Sequence, residues 1–134
     1  MADARTQLQN NSLSKLQRTL LDLAEADRQR AYKAAVPFVN VPTELLEQWS
    51  GHSRLLREQS WFRALFAPHQ QDALAKFDAE VTSLRATLGE SAPDVPEILA
   101  LPSWREVMSA ASRVLSLIPF PTDVEQARKL ESAH

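Results

Sequence analysis

Only two glycines, Gly51 and Gly89, punctuate this chain, against eight prolines. Tight turns between strands draw on glycine for their positive-φ positions, so a chain this poor in glycine is steered away from sheets. Proline stops a helix from within, because it lacks an amide hydrogen and pushes the residue before it out of the helical region. The expected architecture is therefore all-α, a single-domain bundle of about five or six helices with proline-punctuated corners. A length of 134 residues suits one domain with a real core, since folding at this size buries about two thirds of the surface an unfolded chain exposes.

One corner occurs twice. Val36-Pro37-Phe38 precedes Pro42-Thr43-Glu44, and Ile118-Pro119-Phe120 precedes Pro121-Thr122-Asp123. Each copy ends one helix, sets a phenylalanine just past the end and starts another helix. Thr43 or Thr122 is the expected cap, and Glu44 or Asp123 places negative charge at the positive end of the helix dipole. Phe38 and Phe120 are expected to be anchors that either close the core or form a paired apolar edge for a partner. The copies lie too far apart for a solenoid repeat, and helix grammar alone can write the same corner twice.

Reading prolines and glycines as stops gives a flexible N-terminal segment over 1–11, one helical domain over 12–132 and a flexible end at 133–134. The first expected helix covers 12–35, with Leu13, Leu16, Leu20 and Leu23 as a narrow stripe. Asp27 is next on that seam, either turned to solvent beside Arg28 and Arg30 or acting as a pairing device. A second helix over 44–50 is expected to be capped by Gly51, and a third to follow over 52–66. Pro68 opens a fourth that Gly89 ends, carrying Leu74, Phe77, Val81, Leu84 and Leu88. After a linker over 89–96 and a short segment over 98–101, Ser103 and Glu106 form a capping box. The helix they start has a wide apolar face of Trp104, Val107, Met108, Ala111, Val114, Leu115, Leu117 and Ile118, as expected of a central helix. A last helix over 124–132 is expected to lie against it.

Chemistry is sparse. With no cysteine in the sequence, disulfides, zinc-thiolate sites, iron-sulfur clusters and thiol nucleophiles are excluded. His52 and His69 lack a glutamate or second histidine at the helical spacing of bundle metal sites, and His69 with Asp72 falls on a solvated first turn. Ser12 and Lys15 match a Ser-x-x-Lys spacing without its accompanying motifs, and two glycines cannot build a phosphate loop. No catalytic, cofactor or metal residue is assigned, no cofactor is expected, and an enzyme is the disfavoured class.

Residues 1–11 hold no apolar core of the signal-peptide kind, and no run of about eighteen apolar residues occurs, so a cytoplasmic protein without membrane insertion is expected. The net charge of −2 is spread over intermixed acids and bases, so any attraction to polyanions must be local. The segment from Trp49 to Phe66 concentrates what binding residues there are. Trp49, Arg54, Arg57, Trp61, Phe62 and Arg63 combine the residue types that dominate interface energetics, with Phe38 and Phe120 as a further edge.

The leading expectation is a noncatalytic interaction or adaptor protein that binds a protein partner, or itself as a homodimer, through this aromatic and arginine surface. Two alternatives stand beside it. One is a nucleic-acid-associated regulator using Arg54, Arg57 and Arg63 with Trp61 stacking, disfavoured by the balanced charge. The other is a carrier holding a small molecule or lipid between helices.

Overall fold

Glu25 breaks the first helical run where neither glycine nor proline marks a stop. The computed structural model describes residues 4–90 and 92–120, and over them the chain is helical with no strand. Helix α1 spans Ala4–Ala24 and α2 spans Ala26–Ala35, with Glu25 between them in an extended conformation. The expected single helix over 12–35 is thus two, and the start is at Ala4 rather than Ser12. Residues 4–11, expected as a flexible tail, are the first turns of α1; no proline or glycine among them opposes a helix.

Gln29 holds the break. Its side-chain amide donates to the carbonyls of Asp22 (3.0 Å) and Leu23 (3.2 Å), which the end of α1 leaves without helical partners. Its Oε1 accepts the Trp104 indole proton, so the kink is tied to the core. Asp27 faces solvent, paired with Arg30 at 2.8 Å, which settles its two readings in favour of the solvated one.

Helix α3 runs unbroken over Val41–Glu58, so the expected stop at Gly51 does not occur. A glycine inside a helix costs about 1 kcal/mol relative to alanine, and burial of Leu45, Leu46, Trp49 and Ser53 along this helix outweighs it. Its cap is Asn40, whose Oδ1 accepts from the Thr43 amide at 3.0 Å; Thr43 itself is inside the helix, not the cap. The chain turns at Gln59 into the single turn α4, Ser60–Arg63. Arg63 reaches back to the Leu56 and Arg57 carbonyls at the end of α3, satisfying them as a cap would.

Helix α5, Pro68–Leu88, has the expected bounds, with Pro68 in its first turn and Gly89 past its end at φ 63. A 3₁₀ turn over Glu97–Ala100 leads into α6, Pro102–Leu117. The Ser103 and Glu106 capping box does not form; Leu101 holds the cap position and Pro102 starts the helix, its missing amide costing nothing there. The expected helix over 124–132, with Thr122, Asp123 and the C-terminal end, lies outside the described residues.

Helices α1, α3, α5 and α6 form an up-and-down ring, each antiparallel to the next, as their cross-links imply. Thr19 meets His52, Arg85 meets Ser50, Gln70 meets the Leu117 carbonyl, and Gln29 of α2, bonded to the end of α1, meets Trp104 at the start of α6. The core fills the ring: Leu16, Leu20, Leu23, Leu45, Trp49, Phe77, Val81, Leu84, Trp104, Val107, Ala111 and Val114. Helix α6 packs against both α1 and α5, the central position expected of it, although Leu117 in its expected apolar set is 47% exposed.

Candidate docking surface

The two copies of the proline corner have opposite fates. Phe120 is 1% exposed and closes the core, whereas Phe38 is 86% exposed. Phe38 as a core anchor is therefore corrected, and so is the paired edge, since one ring is buried and the other stands in solvent.

The corner that carries Phe38 is held by a dense set of hydrogen bonds. The Lys33 ammonium donates to the Pro37 carbonyl (2.6 Å), the Val39 carbonyl (2.9 Å) and the Asp94 carboxylate (2.6 Å). Asp94 also accepts from the amides of Val41 (3.1 Å) and Val95 (2.7 Å), and the Asn40 amide donates to the Ala92 carbonyl (2.9 Å). Partial burial works against the Asp94 carboxylate, but the Lys33 hydrogen bond and then the two amides outweigh it and hold its pKa below the ordinary value. The result is an exposed aromatic on a rigid mount. Lys33 and Asp94 give no sign of this role in the sequence, because they meet only when the chain returns after α5.

The other expected partner-binding residues separate into buried and exposed sets. Trp49 and Phe62 are fully buried, so with Phe120 they are corrected from surface contacts to core. Trp49 packs edge-on against Phe77 with ring centroids 4.6 Å apart and donates to Asp78 at 2.9 Å. Trp61 is half-buried, edge-on to Phe62, between its two expected placements. Arg54 is exposed, Arg57 lies 3.6 Å from Asp78, and Arg63 is engaged by the α3 carbonyls. These groups cluster at the C-terminal end of α3. Phe38 precedes its N-terminus, and a helix of 18 residues separates the ends by about 27 Å. The structure does not bring the two groups together.

One polar site was missed. His52 Nε2 lies 3.0 Å from Thr19 Oγ1 in a cleft of about 410 Å³ also lined by Lys15, Arg18, Asp22, Tyr32 and Gln48. Burial, reinforced by the charge of Lys15, pushes the imidazole pKa down to about 4. The residues come from three helices, so no sequence spacing could announce them. Among the described residues no group of three His, Asp or Glu side chains is arranged to hold a metal, and no helix is long and apolar enough to cross a membrane.

No family model, curated protein or solved structure matches this chain.

Proposed function

We infer that this chain is a noncatalytic helical interaction protein that docks a protein partner through the corner around Phe38. The observation that carries this reading is an 86% exposed phenylalanine on a loop fixed by Lys33, Asp94 and Asn40. A large aromatic left in water at a rigid position supplies apolar area without an ordering cost on binding, the usual make-up of an interface anchor. Half-buried Val36 and Val39 flank the ring in the chain and add apolar surface, and Lys33 and Asp94 provide a polar rim.

The partner this surface fits is a protein with an apolar pocket for one aromatic ring. A photo-crosslinking phenylalanine analogue at position 38 should capture it, while the same analogue at exposed Arg54, at the opposite end of α3, should not. Capture at both positions alike, or at Arg54 alone, contradicts the reading. A second copy of the chain is the alternative occupant, and a monomer at high concentration by light scattering removes that version.

A further inference from the structure

The cleft between α1, α2 and α3 holds a polar arrangement that the docking corner does not use. Lys15, Arg18, Thr19 and Asp22 line it from α1, Tyr32 from α2, and Gln48 and His52 from α3. Thr19 gives its one hydroxyl proton to the Lys15 carbonyl at 3.1 Å, so the donor in the 3.0 Å contact with His52 is Nε2–H. That fixes the tautomer and leaves Nδ1 as a lone-pair acceptor. No buried side-chain nitrogen or oxygen among the described residues lacks a hydrogen-bond partner, so Nδ1, which has none, is reached by solvent, and the ring it belongs to lines the cleft.

The surrounding groups are equally well defined. Asp22 is paired with Arg28 at 2.8 Å, which offsets its charge. Gln48 donates to the Tyr32 hydroxyl at 3.4 Å, leaving the phenol proton free to donate. Lys15 and Arg18 are exposed, three positions apart on α1, and among the described residues neither is in an ion pair. The cleft therefore presents two cationic donors, a phenol donor and one neutral nitrogen acceptor. Carboxylate and sulfate, which only accept hydrogen bonds at neutral pH, would satisfy the cations but set a lone pair against Nδ1. A phosphoryl group that retains one proton satisfies every position.

We propose that this cleft binds a protonated phosphoryl group, carried by inorganic phosphate or by a phosphate monoester. Lys15, Arg18 and Tyr32 donate to its oxygens, and its P–OH donates to His52 Nδ1. Burial beside Lys15 keeps the imidazole neutral, which preserves that acceptor. A phosphate ester loses its second proton with a pKa of about 6, so a protonated form is available near neutrality, and inorganic phosphate keeps a P–OH even as the dianion.

The test is titration of the full chain at about pH 7 and constant ionic strength with inorganic phosphate, phenyl phosphate and sulfate, following the His52 ring nuclei by NMR. The expected result is a saturable shift with phosphate, the Nε2–H tautomer retained, and binding about tenfold weaker for sulfate. Lys15→Gln and Arg18→Gln, at exposed positions that leave thermal melts unchanged, should each weaken phosphate about tenfold. Saturation by both phosphate probes supports a phosphoryl site open to esters, and saturation by inorganic phosphate alone supports a site closed to them. Non-saturating shifts, equal responses to phosphate and sulfate, or unaltered affinity in both variants overturn the proposal.

Discussion

Trp104 donates its indole proton to Gln29 Oε1 at 3.1 Å, and both side chains are fully buried. Through Gln29 this one bond joins the central helix to the end of α1, whose Asp22 and Leu23 carbonyls the same amide satisfies. Replacing Gln29 by Leu removes three hydrogen bonds and strands a buried indole N–H, so a loss of about 3 kcal/mol is expected in urea unfolding. A double-mutant cycle with Trp104→Phe should show a coupling of about 1 kcal/mol or more. Additive losses would mean that the pair acts independently.

The Lys33 and Asp94 pair makes its own pH signature. The folded-state pKa of Asp94 is depressed below 3.8, so its contribution is present above that value and is lost as pH falls through the depressed one. Acid unfolding should steepen below about pH 4, and Asp94→Asn should remove that component while costing about 1 kcal/mol at neutral pH. An unchanged acid limb in the variant would assign it to other carboxylates.

His52 acts in a different window. Its folded-state pKa is lowered from 6.5 to about 4, so between those values the unfolded chain binds the proton more readily. Stability is complete above pH 6.5 and declines as pH falls towards 4, by about 2 kcal/mol after allowing for partial solvent screening. NMR titration should place the midpoint near 4, and His52→Gln should flatten the slope between pH 6.5 and 4 while sparing the limb below it. A midpoint near 6.5 would show that the ring is solvated.

Leu84 on α5 and Val114 on α6 are 5% and 4% exposed. Truncating either to alanine leaves a cavity in the ring of helices and should cost about 2 to 4 kcal/mol in urea melts. A loss below about 0.5 kcal/mol would remove the residue from the core.

What the sequence made legible followed from residues whose effect is local. Pro68 and Gly89 bound α5 because one needs no amide partner and the other adopts positive φ cheaply. The stripe Leu74, Phe77, Val81 and Leu84 is buried as its spacing predicts. Gly51 misled because a helix with a strong buried face on both sides tolerates it. The break at Glu25 left no local signal, since its support is a glutamine bonded to a tryptophan remote in sequence. Likewise, Val36-Pro37-Phe38 and Ile118-Pro119-Phe120 are nearly the same word locally. What differs is remote in sequence: the chain returns through Asp94 to tie down the Phe38 corner, whose ring is exposed, while Phe120 is buried in the core. Of the eight residues expected to bind a partner, Trp49, Phe62 and Phe120 were chosen for being large and aromatic, which is equally the signature of a core.

The most direct test of the docking surface is affinity purification from the source cells with the chain and its Phe38→Ala variant at equal expression, with thermal melts of both. Because Phe38 packs against almost nothing, the variant should unfold within about 0.5 kcal/mol of the parent. It should nevertheless lose a defined partner by about tenfold or more, the worth of one buried phenylalanine. A Phe38→Ala chain that retains every partner of the parent would contradict the account.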